Sequence, residues 1–260
     1  MIYRAYLCFC LLASTLISSR SLADEFSYLT ISSQAEPFQI IGHSNKGIIT
    51  DILSEAIHGS DIQLKYYAYP FTRYIRTMHK GTHTNWISYG SPAWKEPAKA
   101  RIQSKNLSNE KLFDVSHVLV IRHDSDFIFN SINDLFKITV VTLTGFNYPG
   151  VDKYLSNEKI EHIEVSSHKR ALTIIENRRA VAFIAMKKRA MYSIKVDKFD
   201  PSVFKFINFS SVIPTYPIHL SYSDNVNNKT RHDIDTAIVS MKEAGRIDEI
   251  INFYLGQSKR

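Results

Sequence analysis

A compact group of side chains suited to ligand binding lies between Tyr66 and Gly81, in the run Tyr-Tyr-Ala-Tyr-Pro-Phe-Thr-Arg-Tyr-Ile-Arg-Thr-Met-His-Lys-Gly. Arg73 offers a planar forked cation that can hold a carboxylate through two parallel hydrogen bonds, which lysine cannot do, or it is equally a solvated residue on a helix face. Tyr69, Phe71 and Trp94 supply flat faces on which a ligand can stack, although aromatic rings more often simply pack into a core. A second group is Thr144-Gly145-Phe146-Asn147-Tyr148. It stands where a helix is expected to begin, and the free N–H groups of a helix start favour an anion, the alternative being a plain turn with glycine for its backbone. Asn147 and Tyr148 add donors. Glu36 is a candidate counter-charge for a cationic ligand, or a solvated surface residue. Phe38, Ser88, Tyr89 and Met186 complete the candidate contacts.

The chain carries no Gly-x-Ser-x-Gly elbow, no phosphate loop and no His-Glu-x-x-His pair. His79 and His83 are four apart, but Gly81 lies between them, so they need not share a helix face, and such spacing is weak evidence for a metal. Lys187-Lys188-Arg189 reads as a solvated helix face. No catalytic residue, metal or cofactor is expected.

The elements that must position these groups follow from periodicity. Phe26 to Ser32 reads as a strand. Gly47 opens a helix with an apolar stripe at Ile48, Ile49, Ile52, Leu53, Ala56 and Ile57. Gln63 to Tyr69 is a second strand. Pro70 suits the first turn of the helix that follows, and Gly81 its left-handed end. Thr84 to Tyr89 is a third strand, and Val115 to Arg122 a longer one. Strand, helix, strand, helix, strand predicts a parallel sheet. The pattern then restarts, with strands at Ile138–Leu143, Ile160–Val165, Ala180–Met186 and Val203–Phe209. Helices are expected at Ser167–Asn177, Lys187–Ile194, Thr230–Ala244 and Ile247–Leu255. The organisation expected is therefore two α/β lobes, the second inserted into the first. Lobe 1 takes residues 24–120 and 214–260, and lobe 2 takes 121–213. The crossings fall near Leu119–Arg122 and Pro214–Ile218.

Residues 1–23 read as a secretory leader. Arg4 precedes the apolar run Ala5–Ser18, and Ser21-Leu22-Ala23 is a small-x-small site, so cleavage is expected after Ala23. Cys8 and Cys10 both fall in the leader, which leaves no thiol chemistry and suits an exported bacterial protein in the periplasm. The formal charge of +7 becomes +5 once the leader's Arg4 and Arg20 are removed. Those charges are dispersed and no nucleic-acid motif appears, so nucleic acid is not an expected partner.

The landmarks, taken together, resemble the bacterial extracellular solute-binding protein family 3. Glu36-Pro37-Phe38 resembles its proline-aromatic loop. Gly47-Ile48-Ile49-Thr50-Asp51-Ile52-Leu53 resembles its glycine-led helix with an aspartate. Tyr69-Pro70-Phe71-Thr72-Arg73 and Thr144-Gly145-Phe146-Asn147-Tyr148 resemble turns of one branch, and Asp134-Leu135 precedes the lobe 2 strand as in the family. Gly245-Arg246-Ile247-Asp248-Glu249-Ile250 and Tyr254-Leu255 resemble its ending. The resemblance implies a two-lobed type II periplasmic-binding-protein fold and a monomer that traps a small polar ligand, an amino acid or related carboxylate. It implies an ABC-transporter permease, or a membrane receptor, as partner. Two other readings on the same fold are a small dehydratase, for which Glu36 is the candidate carboxylate, and a sensory module. The sequence departs from amino-acid binders after the third strand, where Ser91-Pro92-Ala93-Trp94-Lys95 replaces their Thr and Arg. It departs again at Met186-Lys187-Lys188, where they tend to carry an acid.

Overall fold

A computed structural model describes residues 24–42, 45–94 and 105–256. The expected leader at residues 1–23, its cleavage after Ala23, and Lys95 lie outside the described residues. Two five-stranded sheets, each flanked by helices, make up the molecule.

The first sheet has the order β2-β1-β3-β10-β4. It comprises β1 (Asp24–Ile31), β2 (Ile62–Tyr69), β3 (Trp86–Gly90), β4 (Leu107–Val115) and β10 (Tyr216–Tyr222). Helix α1 (Ile48–Ala56) buries Ile48, Ile49, Ile52 and Leu53 against it, each worth about 2 kcal/mol as apolar area removed from water. Helix α2 (Phe71–Lys80) starts after Pro70 and stops at Gly81, whose φ of 63° is left-handed. Helices α6 (Asn228–Glu243) and α7 (Arg246–Leu255) complete this lobe.

The second sheet has the order β7-β6-β8-β5-β9. Its strands are β5 (His117–Arg122), β6 (Val140–Leu143), β7 (His162–Val165), β8 (Ala182–Met186) and β9 (Phe204–Asn208). Helices α3 (Asp152–Ser156), α4 (His168–Glu176) and α5 (Lys187–Val196) connect them. Separate apolar clusters cover the two faces of this sheet.

Both sheets are mixed, not parallel. β10 runs against β3 and β4, and β5 runs against β8 and β9. β5 and β10 are the strands that follow the two lobe crossings, so each enters its sheet reversed. β4 was not expected. It is polar, at a sheet edge, and its pairing with β10 carries register shifts, so period-2 alternation is broken. The first crossing is Ser116, between β4 and β5, ahead of Leu119–Arg122. No glycine or proline marks it, because an edge strand of one sheet continues directly into an inner strand of the other. The second crossing runs through residues 209–215. The two lie side by side, with the Phe209 N–H donating to the His117 carbonyl at 3.2 Å. No helix among the described residues is long and apolar enough to cross a membrane.

Candidate ligand-binding site

The site begins with the loop after β1. The amides of Ile48 and Ile49, free at the start of α1, donate to the carbonyls of Pro37 and Phe38 at 2.8 and 2.9 Å. Gly47 makes this approach possible, since a Cβ there would stand 2.6 Å from the Phe38 carbonyl oxygen. Phe38 is thereby fixed, 1% exposed, with its ring 5.3 Å from that of Phe113. Gln34, at the head of the loop, adopts φ 59°, a left-handed conformation uncommon outside glycine. Its side chain reaches the other lobe and donates to the Ser166 carbonyl at 2.8 Å.

From the second lobe comes Arg189, in the first turn of α5 and 5% exposed. Its guanidinium carbon stands 5.0 Å from the Phe38 ring centre and 5.3 Å from that of Phe146. Phe38 belongs to the first lobe and Phe146 to the second, so the cation joins aromatic faces from both. Nη1 donates to the main-chain carbonyl of Gln34, and Arg189 also hydrogen-bonds the Tyr89 side chain. Nε is buried without a partner.

Around Arg189 runs a chain of rings. Tyr89 and Trp94 meet edge to face at 5.6 Å, as do Trp94 and Tyr216 at 6.3 Å, and Tyr216 and His117 lie tilted at 6.0 Å. The last two stand at the crossings. Burial, with the Arg189 charge second, pushes the His117 imidazole down to about 4, so it is neutral at physiological pH. Burial raises the Tyr216 hydroxyl to about 12. The same two causes lower His168, at the start of α4. The arrangement sets a buried cation among rings from both lobes, in surroundings where His117 and the tyrosines stay uncharged.

No family model matches the chain, and no curated protein does. Solved structures match along most of its length. The substrate-binding protein of an amino acid ABC transporter superposes with a TM-score of 0.61 at 16% identity, over 90% of this chain and 100% of that one. The L-cystine solute receptor of Neisseria gonorrhoeae, in its unliganded open conformation, gives 0.63 at 16%, over 89% and 92%. The GluR0 ligand-binding core of Nostoc punctiforme, in complex with L-glutamate, gives 0.60 at 17%, over 88% and 98%.

The chain has the two-lobed periplasmic-binding-protein fold. Within that fold the expected contacts divide. Phe38, Tyr89, Trp94 and Phe146 gather around Arg189 between the lobes. Met186, half-buried at the end of β8, packs against the apolar cluster of lobe 1. Glu36 is exposed, and its charge reaches Tyr192 on α5. Thr144, Gly145 and Asn147 are exposed on their turn. Ser88 is buried inside lobe 1, 2.6 Å from the Tyr74 hydroxyl and donating to the Leu29 carbonyl at 2.7 Å.

Tyr148 departs from its expected role as a donor to an anion. Its hydroxyl turns inward and accepts from the Leu143 N–H at 2.8 Å, while its own N–H is taken by the Asp152 carboxylate at 2.9 Å. Arg73 is exposed and lies 5.0 Å above the Tyr69 ring. It lines an open groove of about 600 Å³ formed, among the described residues, by residues from Tyr69 to Thr82 of lobe 1. His83 is held by Ser27 and by the Tyr69 hydroxyl, and no cluster of metal-ligating side chains occurs among the described residues.

The solvated face expected of Lys187–Arg189 holds only for Lys187. Lys188 is half-buried over the Phe113 ring and donates to the Asp114 carbonyl at 2.9 Å, and Arg189 is buried. One signal for this was in the sequence. Three cations in the first turn of a helix oppose its dipole, and a broken local rule often marks a functional position.

Proposed function

We propose that this protein is a periplasmic solute-binding protein. It closes two lobes on a small polar ligand, an amino acid or related carboxylate, and delivers it to an ABC-transporter permease. The observation that carries this reading is Arg189, a charged group buried where the lobes meet and flanked by one ring from each. A ligand seated there touches both lobes at once only when they are together, so its binding energy favours the closed state. Ser116 and residues 209–215 are the segments about which the lobes would turn. The matched amino-acid-binding structures support the reading at the level of the fold.

The test is a screen of amino acids and small carboxylates against protein unfolded and refolded to strip any bound solute. A true ligand raises the melting temperature by mass action and lowers the radius of gyration in solution scattering. Failure of the whole screen, together with native mass spectrometry of freshly purified protein that shows no bound small molecule, would remove the reading's support.

A further inference from the structure

We infer that the cleft takes a small organic anion, a carboxylate on a flat or apolar body with no cationic group, and that Arg189 is its anchor. This rests on the solute-binding reading and narrows it.

The charge balance of the cleft carries the inference. A guanidinium removed from water is costly unless it is paired. Every ion pair among the described residues engages a cation other than Arg189. Two neutral oxygens, the Gln34 carbonyl and the Tyr89 hydroxyl, are its hydrogen-bond partners, and Nε has none. A carboxylate satisfies such a group best, because two parallel bonds match the guanidinium fork.

The second observation is independent of Arg189. His117 Nδ1 is also buried without a partner. The other two such atoms among the described residues, on Tyr222 and Arg231, belong to side chains stacked on each other within lobe 1. The cleft thus holds two polar atoms awaiting a partner, one on a cation and one on an imidazole at the crossing.

No carboxylate among the described residues forms an ion pair with Arg189. Glu36 is exposed, and Asp114 is paired with Lys111 at 2.7 Å. The ionisations of His117, His168 and Tyr89 respond to the charge of Arg189 and to no acid. An amine or zwitterion would bring positive charge beside Arg189 uncompensated. The rings of Phe38, Phe146 and Trp94 suit an apolar body.

Calorimetry against phenylacetate, phenylalanine and phenethylamine tests the class, since the three share a ring and differ in charge. Succinate and aspartate form a second matched pair. We expect an anion to bind at least about tenfold tighter than its zwitterionic match, and the amine not to bind. Arg189→Met should cost that anion about 100-fold or more, and Arg189→Lys about tenfold, because lysine keeps the charge and loses the fork. Circular dichroism establishes that each variant folds, and the lysine variant preserves the test if the methionine variant does not.

Preferential binding of a zwitterion or amine would overturn the charge class and leave the solute-binding reading standing. Unchanged anion affinity in both variants would overturn the anchor. Binding by no compound of the set would overturn the class. The solute-binding reading would fall with it only if native mass spectrometry also found no captured molecule.

Discussion

The guanidinium of Arg189 on the second lobe lies 5.0 Å from the ring centre of Phe38 on the first. Neither residue reaches that place through its own element alone. Phe38 is held because the first amides of α1 bond to its loop, and Arg189 because β8 runs directly into α5 at the lobe boundary. The contact therefore reports on how the lobes sit.

The two rings flanking Arg189 should separate stability from binding. Phe38 is almost fully buried, so Phe38→Ala should cost about 3–5 kcal/mol in urea unfolding. Phe146 is only half-buried, and Phe146→Ala should cost nearer 1 kcal/mol. Both should weaken ligand binding. Full affinity in Phe146→Ala would show that its ring is not a wall of the site.

Arg73 provides the contrast. It is exposed, and its contact with Tyr69 is of the kind worth about 0.5–1 kcal/mol. Arg73→Ala should change ligand affinity by less than about threefold. A loss as large as that expected for Arg189→Met would return the anchor to lobe 1.

His117 should make the protein acid-sensitive. Its folded pKa, near 4, lies below the unfolded value of 6.5. Above pH 6.5 both states are neutral and its contribution is constant. As pH falls from 6.5 towards 4 the unfolded chain takes up a proton that the folded chain refuses, and about 3 kcal/mol is lost. Melting curves across this range should show the decline, and His117→Gln should reduce its slope, leaving the part contributed by His168, which burial also lowers. An equal slope in the variant would assign the acid sensitivity to other groups.

Tyr254 binds the chain's end to its beginning. Its hydroxyl donates to Asp51 at 2.6 Å and accepts from the Gly47 N–H at 2.8 Å, fixing α7 against the start of α1. Tyr254→Phe leaves both partners short of a bond and should cost about 1–3 kcal/mol. Since α1 supports the Phe38 loop, a weaker ligand affinity should accompany the lower urea midpoint. A midpoint unchanged from wild type would mean that water replaces the hydroxyl without cost.

Much of this was legible in the residues themselves. The stripe of α1, the Pro70 start and Gly81 stop of α2, and the restart of the α/β pattern are properties of neighbouring residues, and all of them are present. Gly47, Asp51 and Tyr254 were visible as landmarks, though not that they touch. β4 and the crossing at Ser116 were not legible, because a polar edge strand lacks alternation and the crossing has no breaker.

Two α/β units, their main helices and the aromatic residues beside them can be read from neighbouring residues, since periodicity and capping act over a few positions. Which arginine is buried between the lobes depends on tertiary packing alone. Arg73 and Arg189 both stand in the first turn of a helix that follows a strand. The face of α2 that carries Arg73 has solvent beside it, while the face of α5 that carries Arg189 has the Phe38 loop of the other lobe. Burial of a side chain depends on what packs over it from elsewhere in the chain, and local sequence does not encode that neighbour.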